Sequence, residues 1–365
     1  MKRHFYYIFI AALAASVSCT NTDYLDVDDV DPILVLNGQM KTGETTHGLF
    51  LSSSSLSALK GVDNANVSVS VNGGAPIKAT LYVAPEDDYS QQYYSETRSR
   101  YDFDYTFSPG DVITVTASDG KHPTAQATAS VPLTPVLKNV EIVHNVPHSS
   151  SNSFLDIDFG GYTEPTPYYP YEDSPYPIDS WHQLKITLQD LPGDTYYRLE
   201  VFVEYEIDDG ETKQNGQNGI SPDVSSEPVL SPATNSEGGL LEAILEESNR
   251  YNIFSDDLFK DKEYTLNLFF SENYVFYLRQ YYTDYYYNEE TGEWEPQPVP
   301  ENLTYKTKMV VRLYAISHEQ YIYLKALDLG DLAMFFSEPV SIPSNVEGGM
   351  GFVTIDNNVE TRLDY

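Results

Sequence analysis

Strict alternation of apolar and polar residues is the feature that most limits what this chain can fold into. In "WHQLKITLQDLPGDTYYRLEVFVEYEI", residues 181–207, Leu184, Ile186 and Leu188 take every second place. Tyr197, Leu199, Val201 and Val203 resume the pattern after "DLPGD". Successive side chains of a strand point to opposite faces, so period two marks strands with one buried face, whereas a helix needs a period of about 3.6. Two such runs around a Pro-Gly turn predict a hairpin. "ILVLNGQM" (33–40) and "ANVSVSVNGG" (65–74) alternate in the same way, and Asn72-Gly73-Gly74 supplies turn chemistry. "YDFDYTFSPGDVITVTASDGKHPTAQATASVP" (101–132) reads as three strands, separated at Pro109-Gly110-Asp111 and at Asp119-Gly120.

These patterns predict a mainly β protein. Short strands at close spacing over residues 32–133 point to an immunoglobulin-like β-sandwich, and "PLTP" (132–135) punctuates its end. Residues 134–365 are expected to form a larger β-sandwich or barrel-like domain, with "DKEYTLNLFF", "TYKTKMVVRLYAIS" and "GFVTI" as further strands. One or two short helices interrupt it. "GLLEAILEESN" sets Leu240, Leu241, Ile244 and Leu245 on one face. "SHEQYIYLKALDL" opens with a capping box, Ser317 at the N-cap and Gln320 at the third helical place, followed by Tyr321, Leu324 and Leu327.

The 365 residues contain a single cysteine, Cys19. Before it stand Lys2, Arg3 and His4, an apolar run from Phe5 to Ala15, and the small residues Ser16, Val17 and Ser18. A basic head, a short apolar segment and a small-residue exit form a secretory signal over residues 1–18. The run is shorter than the roughly 20 residues that span a bilayer. Cys19 has no partner for an intrachain disulfide, and its setting resembles the bacterial lipobox, with Ser16 where Leu is usual. The expectation is cleavage before Cys19 and lipid attachment to it, with residues 19–31 as an acidic tether.

Loss of that leader removes Lys2 and Arg3, so 19 basic residues face 55 acidic ones, a formal charge of −36. This balance argues against nucleic-acid binding, which relies on Lys and Arg to displace counterions. It also disfavours lying flat on anionic lipid. Attachment to a membrane would come from the N-terminal acyl chains.

Catalytic motifs are not found. No G-x-S-x-G elbow, H-E-x-x-H, phosphate loop or dinucleotide fingerprint occurs. His144 and His148 lie four apart, but Pro147 between them rules out a regular helical pair. No metal or cofactor is expected. Adjacent acids such as Asp208-Asp209 and Asp256-Asp257 are common, and no carboxylate pair of glycosidase type can be singled out among them. The candidate contacts with a ligand or partner are aromatic: Tyr168, Tyr169, Tyr171 and Tyr176 in a Pro/Tyr-rich stretch, and Tyr281, Tyr282, Tyr285, Tyr286, Tyr287 and Trp294 in another. Tyr and Trp offer large contact area at small entropic cost, and cross-strand pairing in an edge hairpin is the alternative use for them.

Toward the carboxyl end, "FSEPVSIPSNVEGGMGFV" (336–353) follows "VVRLYAISHEQYIYLKAL" (310–327), with "ITLQDLPGDTYYRLEV" and "PILVLNGQM" upstream. Together these stretches resemble the Bacteroidota outer-membrane lipoproteins that carry domain of unknown function 4249, over nearly all of the chain. The most specific element is Asn345-Val346-Glu347-Gly348-Gly349-Met350-Gly351. The resemblance implies an outer-membrane lipoprotein with a periplasmic or surface accessory role beside a TonB-dependent transporter in nutrient uptake, acids soon after the lipidated cysteine being an address for the cell surface in such proteins. Its cargo, whether small molecule, peptide or glycan, is not implied. Asn345, Gly348, Gly349 and Gly351 read as a structural motif, since glycine permits backbone conformations closed to other residues. The expected function is thus non-enzymatic. A surface adhesin or envelope-structural protein using the aromatic loops is the alternative, and a carboxylate-pair hydrolase a third.

Overall fold

Period-two segments become strands, and the structure, a computed structural model, describes residues 31–54, 59–83, 97–148, 180–208, 210–230, 249–272, 285–288, 291–296, 304–332 and 341–365. The amino-terminal part contains β1 (Leu34–Lys41), β2 (Thr46–Ser54), β3 (Leu59–Gly61), β4 (Asn66–Val71) and β5 (Ile77–Lys78). It continues with β6 (Thr80–Leu81), β7 (Ser99–Asp104), β8 (Val112–Ser118) and β9 (Ala125–Ser130). Then follow β10 (Val136–Val143), β11 (Trp181–Gln189), β12 (Tyr196–Asp208), β13 (Lys213–Gly219), β14 (Ile253–Ser255) and β15 (Glu263–Ser271). The chain closes with β16 (Tyr285–Asn288), β17 (Glu293–Pro296), β18 (Thr304–Ile316), helix α1 (His318–Leu332), β19 (Val346–Glu347) and β20 (Val353–Asp364).

Two layered cores result, and the protein is mainly β and sandwich-like. In the first, β1, β2, β7 and β6 lie side by side and face a sheet ordered β19-β9-β8-β4-β5. Leu34, Leu36, Leu49 and Leu51 meet Val67, Val69, Ile113 and Val115 between the layers, all fully buried. Each such side chain contributes about 1.5–3 kcal/mol by leaving water. In the second, the three-stranded sheet β10-β11-β15 packs on β12 and β18. Leu184, Ile186, Leu188, Leu266 and Leu268 there oppose Tyr197, Leu199, Val203, Val311 and Leu313.

The expected hairpin between β11 and β12 does not form. β11 pairs with β10 and β15, whereas β12 pairs with β13, β14 and β18. Alternation fixes which face of a strand is buried and leaves its partner open. Here both buried faces point into one core from opposite sheets, and the "DLPGD" turn carries the chain over the sandwich edge. Tyr197 holds that corner: its hydroxyl accepts the Leu191 N–H at 3.1 Å and donates to Asp190 Oδ1 at 2.9 Å. The tyrosine corner of immunoglobulin-like sandwiches uses the same device.

One sheet runs through both cores, in the order β13-β12-β18-β20-β1-β2-β7-β6. β20 makes this continuity. Its first residues pair parallel with β1, Gly38 opposite Val353 and Lys41 opposite Asp356. Its later residues pair antiparallel with β18, from Ala315 opposite Asn357 to Lys308 opposite Asp364. Val346, Val353 and Ile355 therefore fill the first core, although they follow the second unit in sequence.

Helix α1 starts as its sequence predicts. Ser317 Oγ accepts the Gln320 N–H at 3.1 Å. The reciprocal half of the capping box is replaced: Gln320 Nε2 donates to Asp356 Oδ1 at 2.7 Å and Gln320 Oε1 accepts from Thr354 Oγ1 at 2.7 Å. The buried Asp356, which also takes Gln39 Nε2 at 2.8 Å, competes better for that amide than the helix terminus does. Leu324 buries against Ile253, Tyr314 and Ile316, with Tyr321 and Leu327 beside it. The helix expected around residues 239–249 lies almost wholly outside the described residues. Among the described residues no helix is long and apolar enough to cross a membrane.

Candidate functional site

The face of β12 and β18 turned away from the second core carries an unusual set of charges for so acidic a chain. Register stacks Arg198 beside Tyr314, and Glu200 beside Arg312, which in turn lies beside Glu360 of β20. α1 covers one part of this face through Tyr314 and Ile316. Beside it opens a cleft of about 440 Å³, lined by Arg198, Arg250, Arg312, Glu200, Phe202 and Tyr251 among others.

Its floor is a linked network. Arg312 donates through Nε and Nη2 to Glu360 Oε2 at 2.8 and 2.5 Å, and through Nη1 to Glu200 Oε2 at 3.4 Å. Arg198 Nη2 donates to Glu200 Oε1 at 2.6 Å, and the Tyr314 hydroxyl donates to Glu200 Oε2 at 2.6 Å. The Arg312 guanidinium stands 4.8 Å above the Phe202 ring, and that of Arg198 is 5.5 Å from the Tyr314 ring. Burial first, then the hydrogen bond to Glu200, pushes the Tyr314 phenol up, so it remains a proton donor. Burial opposes the charge of Arg312, but Tyr314 and Glu360 outweigh it and raise its pKa further. At the rim, Arg250 is 55% exposed and bonds Asp328 of α1 through Nε at 3.1 Å. Arg198 Nε is buried with no hydrogen-bond partner among the described residues.

None of the described residues among those singled out from sequence is in the lining of this cleft. Tyr168, Tyr169, Tyr171, Tyr176, Tyr281 and Tyr282 lie outside the described residues, as does Cys19. Tyr285, Tyr286 and Tyr287 form β16 and Trp294 lies on β17, in a separate two-stranded hairpin with Tyr287 opposite Trp294. The cleft arginines went unnoticed because 114 residues separate Glu200 from Tyr314. The available signal was the Arg-x-Glu step at outward places of a strand in a chain with only 21 basic residues.

The glycine motif serves the junction of the layers. Met350 exchanges backbone hydrogen bonds with β1, its N–H to Leu34 O at 2.9 Å and its carbonyl from Leu36 N at 2.8 Å. A Cβ on Gly349 would stand 2.5 Å from Leu34 O, and one on Gly351, which has φ +118°, would collide with Leu36 O. Asn345 pairs with the Val353 backbone through both side-chain atoms, at 2.7 and 2.9 Å.

A second polar cluster sits at the open end of the second sandwich. His182 Nδ1 accepts the Asn145 N–H at 3.1 Å, so its proton lies on Nε2, which donates to Glu272 Oε2 at 3.1 Å. Tyr365 also donates to Glu272, and His144 Nδ1 lies 3.3 Å from His182 Nδ1. His148 goes elsewhere, to Asp223 at 2.9 Å. Among the described residues no group of three or more His, Cys, Asp or Glu is arranged to hold a metal ion.

No curated protein matches the sequence. Among solved structures, the chain is similar to a DUF4785 family protein from Legionella pneumophila subsp. pneumophila str. Philadelphia 1. Identity is 8%, coverage 77% of this chain and 52% of the other, and the TM-score 0.23. The chain thus spans about half the length of that structure, and the superposition is too loose to bear on function. The family model described as "Domain of unknown function (DUF4249)" matches residues 21–362. Since that is nearly the entire sequence, the chain belongs to the DUF4249 family.

Proposed function

We propose that this chain is a non-catalytic, lipid-anchored binding protein of the outer membrane, an accessory to a TonB-dependent transporter in nutrient uptake. The observation that carries the binding role is the arginine-lined cleft on the sheet shared by the two sandwiches. Its carboxylate, Glu200, is held by arginine and phenol donors, an arrangement suited to fixing a ligand rather than to accepting its proton. The basic head, apolar run and Cys19 support the anchor. Two acyl chains suffice for firm attachment at about 0.8 kcal/mol per buried CH₂.

The test is fractionation followed by co-purification. The tagged protein should sediment with outer membranes, a Cys19→Ala variant should be released, and a TonB-dependent receptor should be recovered with the wild type. Sedimentation of the variant would remove the anchor. Repeated recovery without any such receptor would remove the transporter role. The β16–β17 hairpin, with Tyr287 opposite Trp294, favours a second reading as a surface adhesin. Binding of whole cells to host protein or glycan, lost on deletion of residues 285–296, would support it.

A further inference from the structure

We propose that the cleft between β12, β18 and the Arg250–Asn252 segment binds a small organic carboxylate. The inference rests on the binding role above and names its ligand class. Its lining carries three arginines and one glutamate, within a chain whose formal charge is −34. An anion approaching most of this surface is repelled, and here three arginines, bonded to Glu200, Glu360 and Asp328, offset the neighbouring acids. The volume, about 440 Å³, falls in the range of about 300–1,000 Å³ that houses small ligands.

The chemistry of the lining selects among anions. Guanidinium groups are planar forks that match a carboxylate in two parallel hydrogen bonds. Arg198 makes one hydrogen bond, to Glu200, while its buried Nε has no acceptor among the described residues. A buried donor without an acceptor is unusual in a folded protein and calls for an explanation, and a ligand oxygen reached by a small rotation of the guanidinium supplies one. Phe202 and Tyr251 give an aromatic wall for a carbon skeleton. Glu200, 30% exposed within the cleft, repels the two charges that phosphate gathers on one centre more than the single charge of one carboxylate group.

The test is calorimetric titration of the full chain in detergent with benzoate, succinate, inorganic phosphate and the neutral analogue benzamide. Benzoate or succinate should bind and benzamide should not. Arg198→Gln should weaken the interaction by about tenfold or more, as loss of a charge-assisted hydrogen bond does. Because Arg198 is packed on the sheet, Arg250→Gln at the exposed rim is the companion variant, and it should weaken binding while a cooperative thermal transition shows that the chain is still folded. Equal binding of benzoate and benzamide, binding of phosphate alone, no binding of any probe, or affinities untouched by both variants would each overturn the proposal. A carboxylate that binds while no receptor co-purifies leaves the cleft standing and removes the transporter role. Receptor recovery without carboxylate binding does the reverse.

Discussion

The two sandwiches are built by different means. The first is filled by aliphatic and aromatic side chains, with His47 set between Phe103 and Phe107 and bonded through Nε2 to Tyr105 O at 2.9 Å. The second buries Asp190, Glu227, Asp256 and Glu272 around its core. These acids bind both backbone and side-chain donors. Asp190 accepts from the Asp261 N–H at 2.7 Å, Asp256 from the Thr195 N–H at 3.1 Å, and Glu227 from the Asn267 N–H and the Tyr264 hydroxyl at 2.7 Å each. Short turns connect most of the first sandwich, so its ladders satisfy most of the main chain. The second carries long connections whose polar groups need other partners, and a buried acid is tolerable only when fully bonded. Apolar area fills both cores, and in the second unit acid staples also pin the loops.

The largest effect expected from this contrast is at Asp190. Asp190→Ala leaves the buried Tyr197 hydroxyl and the Asp261 N–H without their acceptor, a loss of about 4 kcal/mol in urea unfolding. Next is Leu36→Ala in the first core, where the side chain is fully buried, at about 3 kcal/mol. Should Asp190→Ala cost much less than Leu36→Ala, the staples are decoration and the contrast fails.

Acidification separates the units more finely. Burial, then the neighbouring His182, holds the His144 imidazole below its ordinary range. A histidine whose folded pKa is depressed stabilises above its unfolded value of about 6.5 and loses that contribution as pH falls through the folded one. The melting temperature should therefore drop on mild acidification, and His144→Gln should flatten the slope. The smallest effect belongs to the first sandwich. Burial opposes ionisation of Asp119, but the His122 and Lys121 amides and the His122 ring hold its carboxyl at about 2. Its contribution is complete above about pH 4 and disappears as pH falls through the folded value. Asp119→Ala should cost about 1 kcal/mol after allowance for solvent screening, unchanged between neutral and mildly acidic solution. A variant as sensitive to mild acid as His144→Gln is insensitive would blur the two units into one.

Where contacts are local, the sequence is informative. Asn72-Gly73 takes positive φ at both places, and Asp119-Gly120 turns between β8 and β9, which pair as adjacent strands. Leu184, Ile186, Leu188, Tyr197, Leu199 and Val203 all bury as their alternation requires. Partner choice was hidden, because a pattern of period two describes a face and says nothing of the strand beside it. Gln320 shows the same limit in miniature: its spacing suits a cap, while Asp356, 36 residues on, decides its bond. The cleft was least legible, since its arginines and Glu200 come from β12, β18 and the segment before β14 and look like ordinary surface charge one element at a time.

The parallel seam between β1 and β20 has a temporal consequence. The Gln39–Asp356 bond closes a loop of 317 residues, so β1 leaves the ribosome long before the strand that completes it. Until then its free edge is open to pairing with any other nascent chain. Such distant closure slows folding, and a chain interrupted before residue 353 can finish neither half of its architecture.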